Sequence, residues 1–150
     1  MMPPELIIFL VAMSPIVELR GAITLDLKVY ALPWWQAYGL AVLGNLVPLV
    51  IIVGLGRPIS DFLSQNCSWS KRFFDWLFEK VRRKTEKLGR LGKDLTVVVL
   101  TALPIPFVGG WTGALAAFLL EVPAKRGIIL VASGAIVAGL IVSALTFLFP

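Results

Sequence analysis

Two stretches of this chain, residues 33–56 and 127–149, run without one charged side chain. Each exceeds the roughly 20 residues that a helix needs to cross the hydrocarbon core of a bilayer. A chain of 150 residues with 58% hydrophobic and 15% charged side chains, where soluble domains carry about 25% charged, cannot bury such segments inside a water-soluble core. Within lipid only helices and closed barrels satisfy every backbone polar group, so the expected fold is all-α and polytopic. The first nineteen residues hold no Lys or Arg and no small-residue cleavage site follows the first apolar run, so no cleavable signal peptide is expected. Histidine is absent and Cys67 stands alone, which leaves no material for metal ligation, a disulfide framework or Cys–His catalysis. A lone deep carboxylate supports little acid–base chemistry, so the chain reads as a non-enzyme that needs no cofactor.

Ten of the fourteen Lys and Arg residues lie between Arg57 and Lys93, so the net charge of +5 is a local property. The positive-inside rule puts this stretch in the cytoplasm; the expected setting is a prokaryotic cytoplasmic membrane, with the chain as a multi-pass protein. Within it Phe73, Phe74, Leu77, Phe78, Val81 and Leu88 recur at roughly helical spacing, opposite Lys71, Arg72, Lys80, Arg82, Arg83, Lys84 and Lys87, with Ser70 as N-cap. This predicts a basic amphipathic helix on the membrane surface, with Lys80, Arg82, Arg83 and Lys84 facing anionic lipid. A nucleic-acid or calmodulin-target reading of the same run competes; beside two spans the membrane surface is the simpler explanation, and no nucleic-acid partner is expected.

Two further apolar pieces, residues 1–32 and 95–122, are interrupted near their middles. Residues 95–103 supply about 13 Å of helix before Pro104 and Pro106 intervene, roughly half of the core thickness. A hairpin that turned back would leave Lys125 and Arg126 on the same side as the other basic residues, as the charge rule prefers. Applied to the first piece, the same logic sets the N-terminus and the Pro33-Trp34-Trp35 belt on the outer side. The expected organisation is one membrane domain built as an inverted repeat. Its first half is a re-entrant hairpin (1–32) and a span (33–56), its second a re-entrant hairpin (95–122) and a span (127–149), and the basic segment 57–94 lies between. Pro33 precedes Gly44 by eleven residues, as Pro123 precedes Gly134. Full crossings at both broken pieces are the alternative and would dissolve the repeat. Interrupted segments at corresponding positions of two halves point to a transporter site at the midplane, where both tips should meet.

The tips differ in what they offer. In the first, Glu18 and Arg20 sit in the break Ser14-Pro15-Ile16-Val17-Glu18-Leu19-Arg20-Gly21. Ionisable groups at membrane depth mark ion, proton or substrate paths unless they are paired structural charges. Glu18 is read as the one deep carboxylate and as a proton-binding group; Arg20 as its counter-ion or as a bidentate anion ligand. A structural ion pair that ties the tip together is the competing reading. Residues 23–29 alternate apolar and polar like a strand, and Asp26 and Lys28 read as interfacial beside Tyr30, Trp34 and Trp35. The second tip, residues 104–113, carries no charge. Its helix start near Gly110, Trp111 and Thr112 would present free N–H groups to an anion, or serve as a tight turn whose glycines allow close packing. In the first span Asn45, beside Pro48, is a candidate polar ligand or interhelical glue, and Ala135, Gly139 and Ser143 form a small-residue face that favours close helix contact and a dimer.

Ser-Pro-x-x-Glu-x-Arg-Gly-Ala-Ile (14–23), Gly44-Asn45-x-x-Pro48, Pro104-x-Pro106 and Gly110-Trp111-Thr112-Gly113 followed by Ala114-Leu115-Ala116-Ala117 together resemble the putative small multi-drug export protein family over nearly the whole chain. That family is in turn similar to the DedA membrane proteins, whose opposed re-entrant hairpins are linked to transport or flipping of lipid-linked phosphates. Thr24 stands where the family pattern has Pro, and Phe107-Val108 where it has Gly-Thr. The resemblance carries function onto Glu18, Arg20, Asn45, Pro104, Pro106, Trp111 and Thr112. It implies a small-molecule exporter, with proton coupling through Glu18, acting as a homodimer or other homo-oligomer among membrane lipids. A flippase or scramblase of lipid-linked phosphate or phospholipid is the alternative, and a non-transporting scaffold the third.

Overall fold

A computed structural model of the chain describes residues 2–86, 89–103 and 109–149, with backbone alone at 81, 82, 84 and 85. The described residues are helical throughout, with no strand among them. α1 (Pro4–Met13) and α2 (Glu18–Leu25), which runs into a π-helical turn at Asp26–Tyr30, precede the long α3 (Trp34–Asn66). α4 (Ser68–Thr85) follows, then α5 (Arg90–Ala102), α6 (Gly110–Leu119) and α7 (Ala124–Leu148). Only α3 and α7 combine the length and hydropathy needed to cross a bilayer among the described residues.

Proline sets most of the boundaries. A residue before proline is pushed out of the helical region. Ser14, before Pro15, ends α1 at ψ 135°, and Leu103, before Pro104, ends α5 at ψ 123°. Pro33 and Pro123 are the N-caps of α3 and α7. Two residues before each of these prolines stands a left-handed residue, Ala31 at φ 52° and Glu121 at φ 57°. A left-handed residue, an apolar residue and a proline thus turn the chain into both spans.

Contacts along the two spans fix their relative direction. Tyr38 donates its hydroxyl hydrogen to the Ile136 carbonyl at 3.1 Å, and Val53 lies beside Gly127, so α3 and α7 run antiparallel. Gly44 faces Phe9 and Ala12 of α1; Gly134 faces Thr101 and the Val98 carbonyl of α5. Each half therefore packs its first helix on a glycine eleven residues after a proline. α5 and α6 form a hairpin: Lys93, near the start of α5, reaches the Leu120 carbonyl after α6 at 3.4 Å, and Thr101 touches Gly113 at the other end. One apolar cluster, with Ile8, Leu19, Ile23 and Ala138, sits among α1, α2, α3 and α7; a second, with Leu49, Val97, Ala117 and Val131, sits among α3, α5, α6 and α7.

Several elements depart from expectation. α3 continues ten residues beyond 56, because Arg57, Asp61 and Asn66 prolong the helix into water instead of ending it. Its 33 residues span about 50 Å, well beyond the hydrocarbon core. α4 starts at Ser68 with Cys67 as N-cap, so Ser70 lies inside the helix. Its apolar residues divide: Phe78 packs edge-on against Phe118 at 5.3 Å, whereas Trp69, Phe73 and Trp76 face outward. Residues 23–29 are helical and then π-helical, not a strand; Asp26 drives the change by accepting from the Leu32 amide at 3.4 Å while its own carbonyl accepts from Ala31. The small-residue face of α7 is occupied within the chain, Gly139 lying against Tyr38 and Val42 of α3.

Candidate functional site

The break after α1 delivers Glu18 and Arg20 to the second hairpin. Glu18 opens α2 at φ 53°, a left-handed conformation that costs a non-glycine residue about 1–2 kcal/mol and tends to persist at functional sites. Its side chain is buried. One carboxylate oxygen accepts from the Trp111 amide at 3.5 Å, and the Gly110 amide lies against the same group. These are the first residues of α6, whose N–H groups have no partner within the helix. Arg20 points its guanidinium to the Leu103 carbonyl, which closes the C-terminal end of α5.

The first tip therefore sets a carboxylate on the N-terminal end of one helix and a guanidinium on the C-terminal end of the other. Each charge has the sign that the adjoining helix dipole prefers. Gly109 leaves the room for this: a Cβ there would lie 2.6 Å from Glu18 Oε2 and 2.7 Å from Arg20 Nη2. Gly110 is equally confined, its would-be Cβ 3.1 Å from Asn45 Nδ2.

Asn45 is fully buried on α3, and neither atom of its amide has a partner among the described residues. Pro48 has no N–H, so the Gly44 carbonyl beside Asn45 also loses its helical donor. Among the described residues the Trp111 indole N–H is buried without a partner as well. Buried polar groups in native proteins are almost always satisfied.

Of the residues singled out from sequence, Glu18, Arg20, Asn45, Gly110 and Trp111 come together, and Thr112 lies in the same first turn of α6. Pro104 and Pro106 lie outside the described residues. Among the basic residues of α4, Lys80 lies over the Trp76 ring at 4.6 Å and Arg83 pairs with Glu79; the side chains of Arg82 and Lys84 are outside the described set. The burial of one carboxylate escaped sequence reading: Asp26, expected beside the interfacial aromatics, is fully buried within the protein. Its signal was the helical series 18, 22, 26, which the apparent alternation of residues 23–29 obscured. Lys28 is exposed and shares with Arg20 and Thr24 the wall of a cavity of about 370 Å³ against Leu145 and Thr146 of α7.

Two antiparallel apolar helices of membrane-crossing length, with the buried carboxylate of Glu18 and the half-buried Arg20 packed beside them, fit an all-helical membrane protein. The chain belongs to the putative small multi-drug export protein family, whose sequence model matches residues 18–141, from Glu18 into α7. Export proteins move substrates rather than transform them. Comparison with curated proteins and with solved structures returns no match.

Proposed function

We infer that the chain is a proton-coupled exporter of small molecules, with its site where the Glu18–Arg20 tip meets the start of α6. The observation that carries this reading is the Glu18 carboxylate on the Gly110 and Trp111 amides, with Arg20 on the Leu103 carbonyl of the preceding helix. The Glu18 contacts with the α6 amides are strongest while Glu18 is charged. A proton on Glu18 removes the anion from the α6 dipole and the counter-ion from Arg20, and weakens the junction. The freed amides, with Asn45 and Trp111, then offer donors to an acceptor group of the substrate. Substrate and ionised Glu18 compete for one helix end, and that competition couples proton to cargo.

Inverted-repeat topology with re-entrant hairpins is part of this proposal. Support comes from the antiparallel spans, the matched Pro33/Gly44 and Pro123/Gly134 contacts, and the shortness of α5, about 20 Å long. A second reading, a flippase of lipid-linked phosphate, is favoured by the groove that joins Arg20 to Lys28 beside the C-terminal part of α7, a path for a phosphate with its chains left in lipid. Vesicles containing purified protein and an imposed pH gradient separate the two. Export predicts gradient-driven movement of a lipophilic dye that Glu18→Gln abolishes in a protein that still folds and inserts. Dye movement undiminished in Glu18→Gln overturns it, and gradient-independent lipid-phosphate flipping lost in Arg20→Gln supports the flippase.

A further inference from the structure

The start of α5 and the start of α7 lie side by side. Asp94 pairs with Arg126, and two turns further on Thr101 meets Gly134, so the helices pack parallel and bring their basic first turns together. Two cavities open on this end. One, of about 360 Å³, is lined by Arg90, Lys93, Asp94 and Arg126 with Glu121 and Val122. The other, of about 800 Å³, is lined by Arg90, Lys125 and Arg126 with Leu91, Ile129 and Leu130.

Charge and apolar surface are separated within this groove. Asp94 is buried and neutralises Arg126, and Lys93 reaches the Leu120 carbonyl, which leaves Arg90 and Lys125 exposed at the mouth. Directly beside them Leu91 is 80% and Ile129 66% exposed. The stripe continues along α5 through Leu95 and Val99 at four-residue intervals, both exposed. Cations at a helix end above outward-facing leucines match an anionic headgroup above its acyl chain, and basic pockets between membrane helices hold such lipids.

We propose that the α5–α7 groove is a binding site for one anionic phospholipid, its phosphate between Arg90 and Lys125 and an acyl chain along Leu91 and Ile129. Bound there, the lipid bridges the second hairpin to its span at the end away from the Glu18 tip. The site is separate from the proposed transport site and stands whether or not that reading holds.

Thermal unfolding of the detergent-purified full chain tests it, with phosphatidylglycerol, phosphatidylcholine or glycerol phosphate added. Phosphatidylglycerol at about a hundredfold excess over its Kd should raise the wild-type Tm by roughly 5 °C or more. The double variant Arg90→Gln with Lys125→Gln should lose most of that rise, Arg90→Lys with Lys125→Arg should keep it, and Arg72→Gln on α4 should leave it unchanged. Native mass spectrometry should show one retained phosphatidylglycerol per chain in wild type and none in the Gln variant. An equal rise with phosphatidylcholine, an equal rise with glycerol phosphate, an undiminished rise in the Gln variant, or a rise accompanied by pairing of chains in the mass spectrum would each overturn the proposal.

Discussion

The two halves share a framework but not a chemistry. Both end their first helix at a residue before proline, enter the span through a left-handed residue and a proline, and seat that first helix on a glycine of the span. Yet the first tip carries Glu18 and Arg20 whereas the start of α6 carries only backbone and small or neutral side chains. The difference is complementary. A broken pair of helices exposes a positive and a negative end, and the first tip supplies one charge of each sign to them. The lesson is that a tip without charged residues can still be strongly polar, because its electrostatics lie in the main chain.

Removing Arg20 should break this comparison most severely. Arg20→Ala leaves Glu18 buried without its cation and should lower unfolding stability by about 3–5 kcal/mol in detergent. At the second tip no single side-chain deletion should match it; Thr112→Ala should cost under about 1.5 kcal/mol in the same assay. The shared framework is tested by Gly44→Leu and Gly134→Leu. Each forces a side chain into the partner helix, and each should cost about 1–3 kcal/mol. A large cost at one position with none at the other would refute equivalent packing in the halves. The smallest expected effects are gains. Ala31→Gly and Glu121→Gly relieve left-handed strain, and both should stabilise by about 1 kcal/mol or less, with the same sign.

Much of this arrangement was legible in the sequence. The spans follow from uninterrupted apolar length, and the breaks from Pro15 and Pro104. The contact of Glu18 with the 110–111 turn accords with the expectation that two interrupted segments converge, whereas the place of Asn45 beside Gly110 did not follow from it. What stayed hidden depended on tertiary partners. Arg20 was read against Glu18 and substrate; its further bond to a carbonyl 83 residues away is a kind of partner that no residue type announces. The burial of Asp26 was hidden because a short alternation imitates a strand, while the π-turn that holds it forms against Ala31 and Leu32. The end of α3 was set ten residues early because charge stops a membrane span without stopping a helix. Likewise the Ala135, Gly139 and Ser143 face is as suited to an internal helix as to a second copy, and only packing decided which.

The contact between Glu18 and the second tip is tested most directly by thermal unfolding of four proteins: wild type, Gly109→Ala, Glu18→Ala and the double variant. A Cβ at 109 strikes the Glu18 carboxylate, so Gly109→Ala should destabilise wild type by about 1–3 kcal/mol. It should cost less once Glu18 is truncated, with only the close approach to Arg20 Nη2 left, a coupling of at least about 0.5 kcal/mol. Identical costs in both backgrounds would mean that Glu18 does not reach Gly109, and the charge-to-helix-end junction on which the transport reading rests would be absent.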